Sequence, residues 1–271
     1  MSPPTKEIQL EGAGLHTGAQ ARVTLRVAAG PTRLRVGALE ARIDELEVVS
    51  TARATTVSAC GGRLRAGTVE HAFAALAGLG LYEGVTLELD GPELPLLDGC
   101  ATAWCAALTR LHVAPHRPPL HVTRAAVLEV GPSCYEFAPS AAIDVTARIE
   151  FDDPRLDPEA CWQGDAADFV DRIAPARTFA LAHEVDELAR RGLARHVDPT
   201  SVVILTPDAI LHAGRPFTPD EPARHKLLDL IGDLFLHGGP PIGHLHATRP
   251  GHAANARAIR RALDEGVLAR G

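Results

Sequence analysis

The chain has 271 residues, 46% hydrophobic and 23% charged, the composition of a folded globular protein with a sizeable core. That mix excludes disorder, collagen and coiled coil, and a net charge of −7 leaves no basic excess to displace counterions from a nucleic acid. No stretch reaches the roughly 20 apolar residues of a membrane-spanning helix, and the opening MSPPTKEIQLEGAG lacks the apolar run of a secretory signal, so a cytoplasmic protein is expected.

In chain order, Gly12-Ala-Gly14-Leu-His16 lacks the spacing of a dinucleotide-binding fingerprint. Ala21–Val27 alternates apolar and polar residues and predicts a half-buried strand. Thr68 is placed to cap a helix that stops at Gly80, with Val69, Phe73 and Leu76 as its core stripe and His71, Ala75 and Gly78 as a second face of small residues. A strand over Val85–Leu89 follows, then a helix opened by Asp98-Gly-Cys-Ala and running to about Leu111. The Pro-rich stretch Ala114–Leu120 reads as a boundary between two α+β halves, 1–114 and 120–271. The second half opens on strands at His121-Val-Thr and Ile143–Ile149, and Ala176-Arg-Thr-Phe179 leads into a helix from 182 to about 191. The five cysteines (60, 100, 105, 134, 161) form no CxxC pair and read as small buried thiols.

The halves share a pattern. His71-AFAALAG-Leu79 can be set against His225-KLLDLIG-Asp233, and Asp98-Gly-Cys-Ala against Pro250-Gly-His-Ala, in the same order and at nearly the same offset. This predicts a duplicated unit: two similar α+β halves, each a β-sheet packed on two helices in a β-α-α-β sandwich, with a site between them.

The chemistry-bearing residues fall in the same segments. His225, Asp229 and Asp233 interrupt an apolar helix at i, i+4 and i+8, and so share one stripe that drifts about 40° per step. Carboxylates facing a core need partners or a metal, and a His and an Asp one turn apart suit Zn²⁺; a structural His–Asp network is the other reading. Glu70 beside His71 fits a general base next to a metal ligand, although a first-turn Glu also serves the helix dipole. His252 begins a helix after a turn, Thr178 is a helix cap or a hydroxyl donor, and His244 with His246 is a weak second metal pair.

Six stretches, GAGLHTG (12–18), TVEHAFAALAGLGL (68–81), DGPELPLLDG (90–99), ARTF (176–179), RHKLLDLIGDLFL (224–236) and PGHAAN (250–255), together resemble the UDP-3-O-acyl-N-acetylglucosamine deacetylases of lipid A synthesis. The resemblance implies zinc held by His71, His225 and Asp229, with Glu70 as general base. It implies that Thr178 steadies the oxyanion, and that His252, held by Asp233, protonates the departing amine. Lys226 would help bind substrate and Phe179 would lie against the sugar. The implied partner is an acylated UDP-amino sugar, handled by a monomer. The sequence departs from the family's pattern at Arg195–Val202, within an expected acyl-passage insertion near 180–206, in the short segment Gly30–Val49, and at Arg249-Pro-Gly before His252. These departures spare the metal ligands. They keep open a paralogue acting on another N-acetylated sugar, or a catalytically silent binding relative.

Overall fold

The computed structural model describes residues 7–183, 185 and 197–271 and shows a mixed α+β protein with several sheets and few helices. Its first five-stranded sheet is built from β1 (Glu7–Ala13), β2 (Gln20–Pro31), β3 (Arg33–Val36), β4 (Leu39–Arg42) and β8 (Glu83–Asp90), in the order β1-β2-β8-β3-β4. Between β4 and β8 lie a small sheet, β5 (Glu47–Ser50), β6 (Thr56–Ala59) and β7 (Leu64–Ala66), and helix α1 (Glu70–Gly78). Helix α2 (Thr102–Thr109) follows β8, its Ala103 N–H donating to the Asp98 carboxylate at 3.2 Å.

The second five-stranded sheet has the same order of equivalent strands. It consists of β10 (Ala126–Val130), β11 (Ser133–Ala138), β12 (Ile143–Arg148), β13 (Glu159–Trp162) and β17 (Gly243–Thr248), arranged β10-β11-β17-β12-β13. In each sheet the central strand is antiparallel to one neighbour and parallel to the other: β8 to β2 and β3, and β17 to β11 and β12. A parallel neighbour demands a long crossover, and each crossover carries a buried helix, α1 before β8 and α3 (Glu221–Phe235) before β17. Helix α4 (His252–Asp264) follows β17 as α2 follows β8. Strand β9 (Leu120–Val122) pairs with the final strand β18 (Leu268–Arg270), and β14 (Thr178–Leu181), β15 (Val202–Leu205) and β16 (Ile210–Leu211) make a further small sheet.

Helix α1 is buried over its whole length, which explains why its sequence is nearly all Ala, Phe, Leu and Gly. Its main packing partner is α3, and the closeness of the two helices is set by Gly232: a Cβ there would lie 2.1 Å from the carbonyl oxygen of Glu70. Gly78 admits the Phe169 ring in the same way, with 2.3 Å between that ring and a Cβ. Alternation in β2 buries Ala21, Val23 and Leu25 while Arg22 and Arg26 point outward.

Several local expectations change. Val69, not Thr68, occupies the cap position of α1. Thr68 is left-handed at φ 54° and gives its hydroxyl to Glu93 at 2.7 Å, so that side chain is spent on a tertiary contact. Thr178 opens strand β14 and caps no helix, because its N–H donates to Gly99 O at 2.7 Å. Cys100 and Cys105 are buried, but Cys60 and Cys161 are exposed and Cys134 half-buried. The helix expected over 182–191 and the first part of the Arg195–Val202 departure lie outside the described residues, apart from residues 182, 183 and 185 of that helix.

Candidate metal centre and active site

The approach allowed by Gly232 sets the first turn of α1 against the middle of α3. His71 Nε2 then lies 3.8 Å from Asp229 Oδ1, and His225 Nε2 lies 3.5 Å from the same oxygen. The two imidazoles meet edge to face, ring centres 5.2 Å apart. One ligand atom from each of His71, His225 and Asp229 falls within 4.8 Å of the others, and all three residues are buried.

The protonation states show what this cluster lacks. Burial drives His71 down to about 3 and lowers His225 as well, so both rings are neutral near pH 7. His225 Nδ1 lies 3.0 Å from the carbonyl oxygen of Ala176, which can only accept, so Nδ1 carries the proton and the lone pair is on Nε2. Burial alone would raise Asp229, but Lys226, His225 and His252 hold its carboxyl well below the usual range. Its Oδ2 accepts Lys226 Nζ at 2.7 Å, while Oδ1, shielded from solvent, has no hydrogen-bond partner. A buried anionic oxygen and an imidazole lone pair facing one another without a donor between them are costly. A divalent cation removes that cost, and two histidines with one carboxylate form a zinc donor set that leaves a position open for catalysis. The residues therefore fit the ion.

Beside this cluster sit a buried carboxylate and a further histidine. Glu70 is the first residue of α1 and 3% exposed; its Oε2 accepts the Thr55 N–H at 3.0 Å. Burial raises its carboxyl to about 7 against the opposing charge of His252. His252 opens α4 after Gly251, and its Nε2 lies 3.9 Å from both Glu70 Oε1 and Asp229 Oδ2. Burial would lower His252, but Asp233, 3.0 Å from its Nδ1, together with Asp229 and Glu70 raises it to about 10. Asp233 is itself held by Asn255 Nδ2 at 2.8 Å and by the Thr55 hydroxyl at 2.6 Å.

The remaining sequence candidates flank the cluster. Phe179 meets the His225 ring edge-on at 6.1 Å, and Lys226 Nζ lies 5.5 Å from the Phe179 ring centre. Lys226 is thus bound to Asp229 and stacked on Phe179, not extended as a free cation. Thr178 stands next to Phe179 at the start of β14. His244 and His246 lie on β17, near Asp144 (3.3 Å) and Glu159 (3.9 Å); among the described residues only the His71 cluster gathers three metal-binding groups.

Sequence reasoning missed the supports. Arg177, wholly buried, donates from N, Nε and Nη2 to Glu221 at 3.1, 2.8 and 3.0 Å, which fixes the backbone whose Ala176 carbonyl orients His225. Glu221 lies one turn before His225 on the same stripe, so the spacing that flagged Asp229 could have flagged it too. Glu93 accepts from the His16 N–H, the Thr17 N–H and hydroxyl, and the Thr68 hydroxyl, joining the 12–18 turn to the start of α1. Thr55, Asn255 and Tyr135, whose hydroxyl donates to Asn255 Oδ1 at 2.6 Å, carried no local signal.

A buried two-histidine, one-carboxylate cluster with a carboxylate and a histidine beside it is the kind of side-chain set that metal-dependent hydrolases use. The family model for UDP-3-O-acyl N-acetylglycosamine deacetylase (LpxC) matches residues 5–264, and the chain belongs to that family. Among its relatives is the UDP-3-O-acyl-N-acetylglucosamine deacetylase of Myxococcus xanthus, 37% identical over 96% of this chain and 85% of the relative. Those of Phenylobacterium zucineum (36% identical; 92% and 88% covered) and Thermosynechococcus vestitus (34%; 93% and 90%) match over similar spans. No helix among the described residues is long and apolar enough to cross a membrane.

Proposed function

We propose that this chain hydrolyses the N-acetyl group of UDP-3-O-(3-hydroxyacyl)-N-acetylglucosamine to acetate and a free amine, in lipid A synthesis, as a zinc-dependent monomer of the cytoplasm. The observation that carries the reading is the orphaned Asp229 Oδ1 facing two neutral histidines, with Glu70 and His252 at its edge, in a chain of the deacetylase family. The matching strand orders of the two five-stranded sheets support two similar halves, 1–114 and 120–271, each a sheet packed on two helices, with the site at their seam.

His71, His225 and Asp229 would hold the zinc ion. When bound, the ion supplies Lewis acidity towards water and towards the acetamide carbonyl. The amide is a poor electrophile and the amine a poor leaving group, so a base and an acid are both needed. Glu70, held through Oε2 by Thr55, uses Oε1 to take a proton from the attacking water. The Thr178 hydroxyl donates to the oxygen on which charge develops. His252, cationic beside Asp233, stabilises that charge and passes its Nε2 proton to the departing nitrogen as the C–N bond breaks. Lys226 and Phe179 hold the sugar, and the 180–206 insertion receives the acyl chain.

The test is release of free amine from the acylated UDP-sugar with and without chelator, beside UDP-N-acetylglucosamine and a Glu70→Ala variant. Activity requiring the acyl chain, the metal and Glu70 is expected. Activity on the unacylated sugar, or none on either by the zinc-loaded protein, would overturn the assignment.

A further inference from the structure

Thr55, the residue just before β6 of the small sheet, is 1% exposed and reaches three of the helices' site residues. Its backbone brackets the start of α1: its N–H donates to Glu70 Oε2 at 3.0 Å and its carbonyl accepts the Val69 N–H at 3.3 Å. Its hydroxyl lies 2.6 Å from Asp233 Oδ1 on α3 and 3.2 Å from His252 Nδ1 on α4.

The donor count around that hydroxyl has one solution. Asp233 acts as the acceptor at both oxygens, taking Asn255 Nδ2 and His252 Nδ1 on Oδ2 and the Thr55 hydroxyl on Oδ1. The Thr55 hydroxyl has a single proton, and the short contact to Asp233 commits it there. Towards His252 its oxygen can therefore only accept, so Nδ1 must carry a proton that is shared between Asp233 Oδ2 and Thr55 Oγ1. The ring is held from two sides, and the nitrogen left to exchange is Nε2, which faces Glu70 Oε1 and Asp229 Oδ2 at 3.9 Å.

We propose that Thr55 is a positioning residue for the hydrolysis: it fixes the Nδ1 proton and ring plane of His252 through its hydroxyl and the orientation of Glu70 through its N–H, so that Nε2 and Oε1 address the same substrate space. It touches neither substrate nor metal ligand and acts through the acid and the base. The inference rests on the deacetylase reading for its rate effect, but its structural half, the locked Nδ1 proton, does not.

The experiment compares wild type with Thr55→Val, which keeps the branched shape and the N–H and deletes the hydroxyl, and with Thr55→Ser, which restores it. Five quantities are read: kcat and KM on the acylated UDP-sugar, zinc affinity, melting midpoint, and the His252 Nδ1–H proton resonance in the metal-free protein. For Thr55→Val, kcat falls about 10- to 100-fold, the scale of a lost hydrogen bond to a charged group, while KM and zinc affinity stay within about twofold. The Nδ1–H resonance, protected in wild type, broadens by exchange in Thr55→Val and returns in Thr55→Ser along with most of kcat. An unchanged kcat with an unchanged resonance overturns the proposal. So does a loss shared by Thr55→Ser, or one tracking zinc affinity, since either marks a packing role. A wild-type protein inactive on the acylated sugar refutes the substrate assignment instead, and the ring resonance still decides the role of Thr55.

Discussion

Gly232→Ala tests whether the seam between α1 and α3 sets the metal site. A Cβ at this position would stand 2.1, 2.8 and 3.0 Å from O, C and Cα of Glu70, all backbone atoms with no rotamer to turn aside. Relief requires the helices to part by about 1 Å, given ordinary carbon–oxygen contact distances. Metal ligands tolerate only about 0.2 Å, and in the proposed ligand set His71, next to the point of collision, would have to reach the same ion as His225 and Asp229 on the other helix. Overpacking costs about 1–3 kcal/mol. Helix propensity alone would instead make the change stabilising by about 1 kcal/mol, so the two arguments predict opposite signs. With about 2–4 °C per kcal/mol for a domain near this size, the melting midpoint should drop by several degrees. Zinc affinity should fall at least about tenfold in a competition titration against a chromophoric chelator. A midpoint equal to or above wild type with unaltered zinc affinity would refute the close-approach argument.

Glu70→Gln should retain zinc by elemental analysis yet lose about 10²- to 10⁴-fold in kcat, the usual contribution of a general base; full activity would remove Glu70 from the mechanism. Asp229→Asn should abolish stoichiometric zinc, and reloading with excess metal should restore little. In the proposed mechanism Glu70 must be ionised and His252 protonated for turnover. The rate should therefore rise with pH through a region at or below 7 and fall through one at or below 10, a bound cation pulling both downward. Asp233→Asn removes the charge that lifts His252, so its falling limb should move to lower pH; an unmoved limb would show that Asp233 does not sustain the acid. Glu221→Gln leaves Arg177 charged and incompletely paired in the core, a change costing about 3–5 kcal/mol, visible in a denaturant titration, and zinc affinity should weaken with it because the Ala176 carbonyl no longer holds His225 firmly.

The parts of this molecule visible in the sequence are those with a local period. The stripe of His225, Asp229 and Asp233 on an apolar helix pointed to a buried polar site, and the structure places all three residues there, each 5% exposed or less. The strands at 21–27, 85–89 and 143–149 were readable by alternation, and β2, β8 and β12 cover them but for Ile149, which lies just beyond β12. What could not be read depends on partners far away in the chain. Thr68 has a cap residue's chemistry but is drawn into a left-handed turn by Glu93, and Thr178 enters a strand because β15 and Gly99 offer hydrogen bonds. Thr55 and Asn255 have no periodic neighbours to announce them; they matter only because three helices and a loop converge. Gly232 is the instructive case. A helix-interior glycine looks like a weakness by propensity, and only the Glu70 backbone behind it shows that the position excludes any side chain.

Glu70 and His71 come from α1, while His225 and Asp229 come from α3, with most of the chain between them. Neither segment alone carries the proposed ligand set, so on that reading capture of zinc and docking of the two helices are one equilibrium viewed from two ends. With that ligand set, a chain emerging from the ribosome would not hold the ion until Asp229 had been synthesised and packed. The same linkage operates in the finished protein under zinc shortage. With no ion between them, the unpaired Asp229 Oδ1 and the His225 Nε2 lone pair work against the close approach of α1 and α3. Scarcity of the metal would then be felt as a loosened seam between α1 and α3.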